Sequence, residues 1–251
     1  MFEVIILSIV QGVTEFLPIS SSAHLVLVSK YFNFNNENFN LDISLHTGSL
    51  LAVIFFFRKE LLDFVDNRVL FFKIILSSIP LIFFGFLLVR FQLLDYLRSY
   101  KIIGWTTIIF GILLYLSDLM QVKKTIIKNF KYSSVIYISL FQVLSLIPGV
   151  SRSGIAITAA RFLNFSRVDS AKISFLISIP ALSAVSLYNL QNLLVEKSSE
   201  VSLLNFFGIT FSFFFSYLTI KYFLKFLEKF SLFFFAIYRV VLGSIILFYA
   251  Y

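Results

Sequence analysis

Residues 1–28 read MFEVIILSIVQGVTEFLPISSSAHLVLV. The stretch is apolar enough to enter a bilayer, yet Thr14, Glu15, Pro18, Ser20, Ser21, Ser22 and His24 interrupt it. Lipid offers backbone groups no partners, so such a break survives only where it is packed in protein or lines a wet cavity. A second interrupted segment, 133–160, carries Pro148, Gly149, Ser151, Arg152, Ser153 and Gly154. Both segments are expected to be re-entrant, broken-helix hairpins.

The rest of the chain agrees with a membrane fold. It is 59% hydrophobic with a mean hydropathy of +0.93, well above the roughly 45–50% apolar usage of soluble domains. Thirty-four Phe against four Pro and nine Gly favour long helices over turn-rich sheet. Runs such as 53–57 and 211–215 do not alternate as barrel strands do. Apolar segments lie near 2–28, 43–57, 69–94, 102–120, 133–160, 173–194, 202–224 and 232–251. The absence of Cys excludes disulfides and thiolate chemistry. The net charge of +8 has no basic patch on a soluble domain to serve it, so membrane topology explains it and nucleic acid is not expected as a partner. The N-terminus lacks a basic region and a small-residue cleavage site, so it is expected to belong to the fold.

The chain resembles itself at a distance. LPISSSAH at 17–24 resembles IPGVSRSG at 147–154, and Ile43-Ser44-Leu45 recurs in kind as Ile173-Ser174-Phe175, both at an offset of 130. GWTTIIFGILLYL at 104–116 also matches IYRVVLGSIILFY at 237–249 at a similar spacing. Counting the two interrupted segments as hairpins leaves six full spans. Fourteen loop cations, Arg58, Lys123, Arg161 and Lys221 among them, then share one side, and only Lys30, Arg90, Arg98, Lys101 and Lys197 the other. The expected architecture is therefore an all-α integral membrane protein, a single domain over 1–251. It has about six transmembrane helices and two re-entrant hairpins, arranged as inverted-topology repeats of approximately 1–120 and 132–251. The hairpins are expected to meet near the middle, with both termini extracytoplasmic.

Charged groups inside membrane segments cost on the order of 2.5–3.5 kcal/mol on insertion scales, so Glu15, Arg152 and Arg239 need a reason to be there. Gln11 and Glu15 stand at i and i+4 on one helix face, with Ser20, Ser21, Ser22 and His24 just past Pro18, and together they are expected to face one cavity. A carboxylate and hydroxyls are hard oxygen ligands suited to Mg²⁺ or Ca²⁺, but one carboxylate is too few for an all-protein cage. PGVSRSG offers a Gly-flexed backbone whose amides can face an anion, and an Arg whose planar fork matches phosphate. His24 could act as base, acid or nucleophile. Serine-rich kinks also mediate helix packing, and a lone membrane Arg can simply pair a carbonyl. The joint occurrence of Glu15, Ser21, His24 and Arg152 is what argues for function. His46 reads as a helix-end group or a supporting partner, Arg239 as a buried structural cation, and Asp42 as a helix N-cap. The basic runs 121–131 and 221–229 read as contacts with cytoplasmic lipid headgroups.

QGVTEFLPISSSAH and PGVSRSG, with HTGSLLAV, SFLISIP and FAIYR, resemble the BacA/UppP-type undecaprenyl-diphosphate phosphatases over essentially the whole chain. The resemblance implies hydrolysis of undecaprenyl diphosphate, a polyprenyl diphosphate lipid, at the bacterial cytoplasmic (inner) membrane, with the site opening to the extracytoplasmic side. It implies that Glu15 and Gln11 bind the divalent metal, and that Ser21 or His24 attacks the terminal phosphate or activates that attack. Arg152 with Ser151 would hold the diphosphate, aided by Gly149, Ser153, Ser20 and Ser22. Gln11 departs from the Glu that many members carry, which removes one formal charge from the metal site. Membrane lipids are the expected surroundings, and a homo-oligomer stays open. The alternative is a secondary transporter or lipid flippase with a midplane anion site, since inverted repeats with broken helices are also carrier architecture. A non-catalytic scaffold ranks last.

Overall fold

The computed structural model describes residues 1–32, 34, 39–62, 68–93, 97, 99–195 and 199–251. Of the residues weighed above, Arg98 and Lys197 lie outside these. Among the described residues the chain is helical throughout, without a strand; its one β-type pairing is an isolated bridge between Lys124 and Phe165. Among the described residues five helices are long and apolar enough to cross a bilayer: α5 (Arg68–Arg90), α6 (Tyr100–Asp118), parts of α10 (Arg167–Val195) and α11 (Ser199–Leu227), and the whole of α12 (Phe233–Ala250). In α3 (Phe39–Phe56) a shorter stretch, Leu41–Phe56, is apolar, and the short α4 (Arg58–Leu62) follows. The protein is a multi-pass α-helical membrane protein. Because α3 begins at Phe39, Asp42 lies within its first turn and is not the N-cap expected of it.

Both interrupted segments are helix, break, helix. The first runs through α1 (Phe2–Thr14) into α2 (Ser21–Tyr31). After the short α7 (Ile126–Asn129), the second runs through α8 (Tyr132–Val143) and a 3₁₀ turn (Leu144–Leu146) into α9 (Arg152–Phe162). In each case the helix after the break packs against the helix before it. Packing partners then exchange between the two parts of the chain: α1 lies on α11 and α8 on α5, while α3 meets α10 and α6 meets α12. The α6–α12 approach is close enough that a Cβ on Gly243 would sit 2.8 Å from the Gly104 carbonyl oxygen.

The first break is anchored by Phe16, fully buried and edge-on to Phe175 with centroids 5.2 Å apart, in a core that includes Val53, Leu114 and Phe223. Away from the breaks, the end of α6 is fastened by Asp118. Its carboxylate receives two bonds from Arg167 (2.7 and 3.0 Å) and one from the Leu232 backbone N–H (3.0 Å). The buried Arg161 guanidinium donates to the carbonyls of Asp118, Met120 and Phe165.

Candidate active site

Local chemistry explains each break. Pro18 and Pro148 bring no N–H to continue a helix, and Ile147, just before Pro148, is extended (φ −83°, ψ 121°), as a residue preceding proline prefers. Gly149 takes φ +89°, and a Cβ there would lie 2.3 Å from Thr106 Oγ1, so only glycine fits. Thr106 Oγ1 donates to the Pro148 carbonyl at 2.6 Å. Each second helix is then entered through a serine in the left-handed region, Ser20 at φ 72° and Ser151 at φ 70°. Ser151 Oγ caps α9 by accepting from the Gly154 N–H at 3.1 Å. Each of these serines also pairs with the serine two residues on, Ser20 with Ser22 at 3.3 Å and Ser151 with Ser153 at 3.2 Å. The matching positions are therefore 131 apart, not the 130 read from the motifs: Ile19 stands alone between proline and serine in the first break, Gly149 and Val150 in the second.

With that register, Ser21 and Arg152 are equivalent first residues of α2 and α9, and both grip one carboxylate. Glu15, 6% exposed, accepts from Ser21 Oγ on Oε2 and from Arg152 Nη2 on Oε1, each at 2.6 Å. Gln11, fully buried one turn earlier, donates through Nε2 to Glu15 Oε2 at 3.1 Å. His46 Nδ1 lies 2.9 Å from the same Gln11 Nε2 and 3.9 Å from Glu15 Oε2. Ser153 Oγ donates to the Leu17 carbonyl at 2.7 Å, tying the second break to the first. Two buried atoms here have no protein partner, Arg152 Nη1 and Gln11 Oε1. One is a cationic donor and the other a neutral oxygen acceptor.

Arg239 holds both breaks from behind. Fully buried on α12, it donates to Pro18 O (3.2 Å), Val150 O (3.0 Å), Gly149 O (2.9 Å) and, on α6, Thr107 O (3.2 Å). It is the structural cation expected, paired with loop carbonyls. Two helix N-termini, an ion pair and free donor and acceptor atoms thus meet at one point, an arrangement suited to an anion.

The family described as "Bacitracin resistance protein BacA" matches residues 4–245. The chain belongs to the BacA family. An undecaprenyl-diphosphatase of Pelagibacter ubique is 52% identical over 98% of this chain and 96% of its own length. One from Alcanivorax borkumensis is 37% identical over 99% and 98%, and one from Alteromonas mediterranea 36% over 100% and 99%.

Against this BacA membership, the residues singled out from sequence divide in two. Gln11, Glu15, Ser21 and Arg152 converge, with Ser153 and Gly149 bracing them. His24 stands apart from the carboxylate: its Nδ1 is 2.7 Å from the Ser20 carbonyl and its Nε2 2.6 Å from the Tyr238 hydroxyl. The single cavity-facing cluster expected of the first motif is thus split. Of the two readings given to His46, the supporting partner holds and the helix-end group does not: it lies inside α3 against Gln11 and Glu15. Its signal was its rarity, one of two histidines in the chain. Tyr238, inside FAIYR, carried none that separated it from the eleven other tyrosines.

Proposed function

We propose that this chain hydrolyses undecaprenyl diphosphate to undecaprenyl phosphate and inorganic phosphate, regenerating a lipid carrier for cell-wall synthesis. The observation that carries the reading is the Glu15 carboxylate held between Ser21 Oγ and Arg152 Nη2, with Arg152 Nη1 left unpartnered. The related proteins are named undecaprenyl-diphosphatases, which favours hydrolysis over transport or lipid flipping.

In this reading Ser21 is the nucleophile and Glu15 its base. The Ser21 hydroxyl already donates to Glu15, so the proton has a place to go as Oγ bonds the terminal phosphorus and the bond to the bridging oxygen breaks. Undecaprenyl phosphate leaves, and water then releases the phosphate from Ser21. Arg152 offers its second arm to a phosphoryl oxygen, and the backbones at Ser20, Ser22, Gly149, Ser151 and Ser153 frame the anion.

The site also suits a hard divalent cation, Mg²⁺ or Ca²⁺. Gln11 Oε1 is a buried oxygen without a protein partner beside the Glu15 carboxylate, and among the described residues no group of three or more His, Cys, Asp or Glu could enclose a metal. Gln11 and Glu15 would hold it and the substrate would complete it. Bound there, it would neutralise charge on the diphosphate.

The broken helices are read as re-entrant hairpins in two inverted repeats, a reading supported by the matched serines and the exchanged packing partners. The one-sided loop cations support a topology with those loops in the cytoplasm and the site opening outward from a bacterial inner membrane.

The test is phosphate release from undecaprenyl diphosphate by detergent-purified protein, with Mg²⁺, Ca²⁺ or EDTA. Ser21→Ala, Glu15→Ala and Arg152→Ala should each lose at least about 100-fold while still folded, and EDTA should silence the wild type. Folded wild type releasing no phosphate with either metal would overturn the reading.

A further inference from the structure

His24 is partly exposed and away from Glu15, yet its ring is fixed at both nitrogens. The Ser20 carbonyl, 2.7 Å from Nδ1, can only accept, so Nδ1 carries the proton. In the neutral ring Nε2 is then the acceptor, and the Tyr238 hydroxyl donates to it at 2.6 Å. The two rings lie nearly parallel, 11° apart with centroids 5.7 Å apart. These residues are 214 positions apart in the chain, and each is tied to a break. Ser20 is the left-handed residue that opens α2, and Tyr238 adjoins Arg239, which holds the Pro18, Gly149 and Val150 carbonyls. On α2, His24 follows Ser21 by three residues, so the two share a helix face.

We propose that Tyr238 is a positioning residue for the hydrolytic reaction: its hydroxyl, on α12, holds the His24 ring of α2 in one plane and one tautomer, with Nε2 as the basic nitrogen of a ring on the helix face that carries Ser21. This role rests on the phosphatase reading above. The imidazole does not need Glu15 to orient it; the phenol and the Ser20 carbonyl do so from opposite sides. Phe at this position keeps the stacked ring and removes only the hydroxyl.

The measurement is a double-mutant cycle on phosphate release with Tyr238→Phe, His24→Gln and the pair. Tyr238→Phe should lower kcat about 10- to 100-fold with KM within about twofold and an unchanged melting temperature. In the His24→Gln background the same change should have no further effect, because a residue acting through His24 has nothing left to act on. With two histidines in the chain, ¹⁵N-histidine spectra add a reading independent of turnover: wild-type His24 should show a protonated Nδ1 and a hydrogen-bonded Nε2, the latter moving in Tyr238→Phe. Additive losses, a Tyr238→Phe kcat within twofold of wild type, or an unmoved Nε2 resonance would each overturn the role of Tyr238. A wild type that releases no phosphate would instead overturn the phosphatase reading, and this role with it, even if the Nε2 resonance moved as expected.

Discussion

The helices leading into the two breaks follow one plan. Ser8 Oγ bonds back to the Val4 carbonyl at 2.6 Å, Ser139 Oγ to the Val135 carbonyl at 2.7 Å, and a buried glutamine follows each serine by three residues, Gln11 and Gln142. Beyond that point they part. Gln11 is met by Glu15 and His46, whereas the place matching Glu15 is Leu146, and the Gln142 amide finds no partner for either its oxygen or its nitrogen. After the breaks the asymmetry reverses, with neutral Ser21 on one side and Arg152 on the other. Two similar breaks thus build an unsymmetrical cluster: the first supplies the carboxylate, the second the cation, and neither contains both.

The comparison is broken most severely at the residue that serves both halves. Arg239→Met should cost about 4 kcal/mol or more, since each stranded buried carbonyl costs about 1–3 kcal/mol. It should show as a large fall in detergent melting temperature; a fall of only a degree or two would mean the breaks hold without it. Next in size is the pair that joins the halves. Glu15→Gln or Arg152→Gln alone should cost about 3 kcal/mol by leaving its partner charge unmatched, and the double variant should melt above either single one. All three should be inactive. A double variant no more stable than the singles would show that the pair does not join the breaks energetically. The smallest effect sharpens the contrast between the glutamines. Gln142→Leu removes an unpartnered amide and should be neutral or stabilising by about 1 kcal/mol, with phosphate release unchanged. Gln11→Glu should tighten the apparent affinity for Mg²⁺ by adding a carboxylate. Loss of activity in Gln142→Leu would show that the second glutamine is not a silent counterpart.

Hydropathy made the spans legible, and the breaks announced themselves as polar residues where lipid tolerates none. Glu15, Ser21 and Arg152 were readable because a charge or serine cluster in an apolar segment needs a cause. The motif spacing of 130 falls one short of the structural register, because proline is the conspicuous marker while the conformational match lies at the left-handed serines beyond it. His46 and Arg239 were read as a supporting partner and a buried cation, but Tyr238 comes from a helix distant in sequence, and no local pattern tells that its hydroxyl meets His24. The orientation of His24 away from Glu15 was likewise a matter of backbone direction after Ser20, which composition does not encode.

Asp118 gives the molecule a timetable. Its carboxylate takes bonds from Arg167 and from the backbone of Leu232, the latter 114 residues further along the chain. At about 5–20 residues per second, roughly 6–23 s of synthesis separate this acid from its last partner. The helix it terminates, α6, also packs on α12, the final helix. Arg167 reaches the acid after 49 residues, but until the last helix is made the acid lacks the Leu232 bond, α6 has an uncovered face, and Pro18 awaits the guanidinium of Arg239. The clasp that Arg239 puts on both breaks therefore waits for the last helix to be made.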